Sequence, residues 1–133
     1  KKGELGIVLD CLRRGIDPNI CDQNGQTVLM LASFYGHSKI VELLLEKGAD
    51  ATMADKQDKT ALIFAVEGTN PDVVAKIILD HREQWDIFSF LGEYVNHTDK
   101  KGNTALTISH RLNLNNIVKT LLYHGGNIIT QDI

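Results

Sequence analysis

An all-α solenoid of stacked helix-turn-helix units is the fold class this sequence predicts, and three observations predict it. Positions recur at a fixed step: Gly15 and Gly48, Asp22 and Asp55, and Thr27 and Thr60 each lie 33 residues apart, a period of the length that marks a repeat array. Each unit opens on turn residues and continues into two short stretches with apolar residues at helical spacing. The first stretch packs on small residues, Ala32-Ser33, Ala65 and Ser109, whereas the second uses Leu and Ile.

Taken in order, the chain starts inside a unit. Gly3 is equivalent to Gly36, so Lys1 and Lys2 read as the end of a first helix, and Ile7, Val8 and Leu12 match Ile40, Val41 and Leu45 of the next second helix. Residues 1–19 are therefore a partial unit. In the unit 20–52, Asp22 to Gln26 has turn chemistry, and Thr27 stands where an N-cap hydroxyl meets free amides of a helix running to about Tyr35. Gly36 ends that helix. A second helix from Ser38 to Lys47 lines up Ile40, Val41, Leu44 and Leu45, and Gly48 closes it.

The unit 53–96 repeats the pattern with Thr60, Val73-Val74 and Ile78. The step from Asp55 to Asp99 and from Thr60 to Thr104 is 44, which places an 11-residue insertion at about 83–93. The unit 97–133 resumes the register with Ile117-Val118 and Leu122, and reaches Asp132, the equivalent of Asp99. Its second helix is more polar, with Asn113, Asn115, Asn116, Lys119 and Thr120, and reads either as a cap or as a drifted internal repeat. Thin first helices beside thick second ones should curve the array, with the concave side on the first helices. Because such units bury their faces only by stacking, the expectation is about three full units plus a partial one, cut from a longer protein or lacking its flanks.

Composition excludes several classes. The 133 residues carry 14 basic and 17 acidic side chains for a net charge of −3, with 43% hydrophobic residues, so one domain can bury a core without disulfides or metals. Cys11 and Cys21 make no framework, which suits a reducing, intracellular setting such as cytoplasm or nucleus. No apolar run approaches a membrane span. There is no basic stripe for nucleic acid, no phosphate loop, and no zinc spacing among His37, His81, His97, His110 and His124. No catalytic residue, cofactor or metal ligand is expected, and Cys11, at a core position equivalent to Leu44, reads as a buried structural thiol.

The stretch from Asp22 through Thr27 to Ala32, followed by Gly36-His37 and by Ile40 to Asp50, closely resembles the ankyrin repeat, and the resemblance covers the whole chain. The chain departs from the family pattern after Thr, where Val28, Ala61 and Ala105 replace Pro, and two residues further on, where Met30, Ile63 and Thr107 replace His. These changes are expected to shift stability between units without changing the fold.

The resemblance implies a non-catalytic module whose protein or peptide partner lies across the hairpin tips and the concave face. Carried over by register, that surface comprises Gln23, Asn24, Gln26, Phe34 and Tyr35, then Lys56, Gln57, Lys59 and Glu67, then Lys100, Lys101, Asn103, Arg111 and Leu112. Phe34 and Tyr35 read either as a binding hot spot or as packing against the neighbouring turn. The lysines form a nearly neutral rim, with a preference for an acidic peptide if Arg111 joins Lys100 and Lys101. The insertion holds the single Trp; either Trp85, Phe88 and Leu91 cover the second helices locally, with Ile87, Phe90 and Tyr94 as the opposite stripe, or Trp85, Phe88 and Phe90 make a second recognition site. Two alternatives stay open: a targeting or regulatory domain of a larger enzyme, and a homo-oligomerisation module using the aromatic insertion.

Overall fold

A computed structural model describes residues 10, 13–81 and 94–123. Six helices lie among the described residues: α1 (Val28–Phe34), α2 (Ser38–Glu46), α3 (Ala61–Glu67), α4 (Pro71–Asp80), α5 (Ala105–Arg111) and α6 (Asn115–Tyr123). They form two rows. The first helices α1, α3 and α5 pack side by side, the second helices α2, α4 and α6 pack behind them, and each first helix packs on the second helix of its own unit.

Local chemistry starts the first helices. Thr27, Thr60 and Thr104 are all extended N-caps whose hydroxyls accept the N–H of Met30, Ile63 and Thr107, satisfying an amide that the helix itself leaves free. Where the sequence departs from the family pattern, the caps differ. Thr107 Oγ1 accepts the Thr104 N–H at 2.9 Å, Met30 Sδ accepts the Thr27 N–H at 3.4 Å, and the hydrocarbon of Ile63 has no acceptor to offer.

The small residues of the first row let the helices approach. Ala32, Ala65 and Ser109 are buried, as are Leu29, Leu62 and Leu106 between the rows and Val41, Leu44, Leu45, Val74, Ile78 and Leu121 on the second helices. The apolar stripe expected from Ser38 onward is therefore the core face of α2, which ends at Glu46 with Lys47 as its cap.

The units are also tied through their backbones. Asn19 accepts the Asp50 N–H through Oδ1 at 2.7 Å and donates to the Gly48 carbonyl through Nδ2 at 3.3 Å. Thr52, its register equivalent before the insertion, instead donates its N–H to Asp50 within its own unit. In the turn after α3 the Thr69 N–H donates to the Phe34 carbonyl of the preceding unit at 3.0 Å. A Cβ on Gly68 would stand 2.1 Å from that same oxygen, so only glycine permits this approach.

Among the described residues no helix is long and apolar enough to cross a membrane. The 83–93 insertion, with Trp85, Phe88 and Phe90, falls outside the described residues, as do Cys11 and His124.

Candidate functional site

The surface that the sequence nominates is built from three hairpin tips and three helix ends. Each tip is held by an aspartate. Asp22 Oδ1 accepts the N–H groups of Asn24 and Gln26, Asp55 Oδ1 those of Gln57 and Lys59, and Asp99 Oδ1 those of Lys101 and Asn103, all at 2.9 Å. The turn is closed by Gly25, Asp58 and Gly102 at φ values of +77°, +62° and +83°, so the middle unit places a side chain in the left-handed region where its neighbours have glycine.

Neighbouring tips are stitched together. The Lys56 N–H donates to the Asn24 carbonyl at 3.0 Å and the Lys100 N–H to the Gln57 carbonyl at 2.9 Å. His97 Nε2 adds a donor to the Asp58 carbonyl at 2.8 Å. Upon this fixed backbone Gln23, Asn24, Lys56, Gln57, Lys100 and Lys101 are exposed, while Gln26, Lys59 and Asn103, one register position, are half-buried.

At the helix ends the two aromatics separate. Phe34 is half-buried, edge-on to Phe64 with ring centroids 6.3 Å apart, so it packs against the neighbouring unit. Tyr35 is 59% exposed, edge-on to Phe34 at 5.2 Å and stacked near His37 at 6.4 Å. Lys59 Nζ lies 3.0 Å from Glu67 Oε1, 3.4 Å from Oε2 and 5.8 Å from the Phe64 centroid. Arg111 and Leu112, the equivalents of Glu67 and Gly68, are exposed.

Other exposed apolar groups belong to stacking. Val28 and Leu31 are exposed on α1, whereas their equivalents Ala61, Ala105, Phe64 and Ile108 are buried beneath a preceding first helix. On the second row, α2 and α4 flank an open groove of about 680 Å³ floored by Leu45, Val73 and Ile77 and edged by charged side chains.

Sequence reasoning gave Tyr94 no functional role. It is buried, its hydroxyl accepts the Leu62 N–H at 3.3 Å and also bonds the Thr60 side chain. Burial pushes the ionisation of its hydroxyl well above the ordinary tyrosine range, with those two hydrogen bonds opposing the shift. Among the described residues no group of His, Cys, Asp and Glu is arranged to hold a metal, and the arrangement offers fixed polar tips beside helix ends that are aromatic in the first unit and charged in the next two.

Comparison with known proteins agrees with the repeat architecture. A family model for ankyrin repeats in three copies matches residues 1–87. The YahD protein of Escherichia coli (strain K12) is 32% identical over 126 residues, which is 93% of this chain and 56% of that protein. An ankyrin repeat-containing protein, P1E11.10, of Schizosaccharomyces pombe is 40% identical over 60 residues, 45% of this chain and 29% of its own. A 48-residue stretch, 36% of this chain, is 48% identical to the NAD-capped RNA hydrolase NUDT12 of Macaca fascicularis, of which it covers 10%. The chain thus spans at most about half the length of these relatives. It belongs to the ankyrin-repeat family, whose repeats are generally protein–protein interaction modules.

Proposed function

We propose that this ankyrin-repeat chain is a non-catalytic recognition domain that holds a protein or peptide partner along its hairpin tips and first-helix ends. The observation that carries the reading is Tyr35, a large side chain left 59% exposed beside a half-buried Phe34, on a rim whose turns are already fixed by Asp22, Asp55 and Asp99. Such pre-ordering lowers the entropy lost on association, and exposed tyrosines are enriched among residues that dominate binding. Gln23, Asn24, Gln26, Lys56, Gln57, Lys59, Glu67, Lys100, Lys101, Asn103, Arg111 and Leu112 complete the surface. Phe34 serves it as the support of Tyr35.

The test is affinity capture from native extract with the wild-type chain and Tyr35→Ala. The substitution should shift stability by no more than about 0.5 kcal/mol and reduce capture of the principal partner about tenfold or more. Equal capture by both chains would remove the surface from consideration.

A second reading is favoured by the hydrolase relative, of which the matched stretch covers 10%: the chain serves as the targeting or regulatory part of a larger enzyme. The two readings share the same surface. We place the chain inside the cell on the absence of any cysteine framework, and treat residues 1–133 as one repeat domain.

A further inference from the structure

The middle and last units carry the same two surface positions with different chemistry. In the middle unit the tip position is Lys59 and the helix-end position is Glu67, and the pair closes on itself at 3.0 Å with both carboxylate oxygens on one ammonium. That distance shows that the two positions lie within ion-pair reach of each other. In the last unit the same positions hold Asn103 and Arg111. Asn103 brings no charge, and among the described residues the Arg111 guanidinium has no acidic partner. Glu67, one unit away, is held by Lys59.

The rest of the last tip adds to this. Lys100 and Lys101 are exposed, and the carboxylate of their own tip, Asp99, is buried with an oxygen committed to the amides of Lys101 and Asn103, while Asp58 stands exposed on the adjoining tip. At the other end, Gln23, Asn24, Gln26, Phe34 and Tyr35 carry no charge. The helix C-terminus favours a cation at Arg111, yet α3 presents an anion at the same place, so the dipole alone does not account for the exchange.

We propose that Arg111, with the exposed Lys100 and Lys101 of the same unit adding positive charge, is a carboxylate site, and that the partner is an acidic segment laid with its Asp or Glu side chains on the last unit and an apolar side chain at Tyr35. Guanidinium takes carboxylate through two parallel hydrogen bonds, so the site sets the direction of the bound segment as well as its charge. This rests on the recognition surface proposed above and assigns its polarity.

The experiment is selection of a phage-displayed library of random linear peptides on the immobilised chain, followed by fluorescence polarisation of the recovered peptides. Recovered sequences should be enriched in Asp and Glu over the unselected library and should bind more weakly as salt rises. Arg111→Glu should weaken them about tenfold or more and Arg111→Gln less, both with a thermal midpoint close to wild type, while Lys39→Glu on α2 should leave binding unchanged. Peptides that respond to Tyr35→Ala but show neither acidic enrichment nor a response to Arg111→Glu would overturn the carboxylate site and leave the recognition surface standing. Recovery of no binding peptide would overturn both.

Discussion

The middle and last units share a register and differ in where their hydrogen bonds come from. In the last unit Thr104 and Thr107 close the start of α5 between themselves, and Gly102 takes the left-handed turn without strain. In the middle unit Ile63 offers the Thr60 N–H no side-chain acceptor, Asp58 occupies the left-handed position, and a different amide in the first turn of α3, the Leu62 N–H, is taken by Tyr94, 32 residues further along the same unit. Even its helix-helix turn bonds to the preceding unit through Phe34. The middle unit leans on a residue far along its own chain, Tyr94, and on contacts from both neighbours, the Phe34 carbonyl and His97. The last unit closes the start of its first helix locally.

The strongest way to break this contrast is to remove core volume. Leu62→Ala should cost about 2 to 5 kcal/mol, and Leu106→Ala should fall in the same range, measured by urea unfolding. A nearly neutral Leu62→Ala would mean that the middle unit is not held by its neighbours.

Tyr94→Phe tests the remote cap more narrowly. It leaves the buried Leu62 N–H without its acceptor and should cost about 1 to 3 kcal/mol. The same variant has a pH signature. The folded-state hydroxyl ionises above the ordinary tyrosine value of about 10, so its contribution is fully present below pH 10 and declines as pH rises further, where the unfolded state alone gives up its proton. The Phe variant should lose part of that alkaline decline; an unchanged alkaline limb would dismiss the buried hydroxyl.

The smallest effect concerns the turn. Asp58→Gly exchanges left-handed strain of about 1 to 2 kcal/mol for the greater unfolded freedom of glycine, a net gain of roughly 0.5 kcal/mol readable as a raised urea midpoint. A loss of stability would show that the Asp58 side chain is needed in place.

Much of the fold was legible because it is built from short-range rules that repeat. Thr27 as a cap, α2 starting at Ser38 with Ile40, Val41, Leu44 and Leu45 inward, and the small first-row residues all follow from spacing and cap chemistry. The insertion was visible as a broken step, although Trp85, Phe88 and Phe90 lie outside the described residues. The candidate surface was legible only as register. Sequence placed Phe34 and Tyr35 together, but adjacent residues at a helix end point in different directions, and the neighbouring Phe64 takes one of them.

Register is what the sequence by itself determined: which positions are caps, tips and core faces, and therefore the ankyrin-repeat architecture, since every unit obeys the same local physics. Pairing within and between units is what only the tertiary structure decided. Tyr94 reaches Leu62, Gly68 yields to the Phe34 carbonyl, and Lys59 closes on Glu67 while Arg111 has no acidic partner among the described residues, because these outcomes depend on distances between residues that are far apart in the chain or in different units. A repeating pattern fixes what each position is made of, and stacking fixes what each side chain has left to offer.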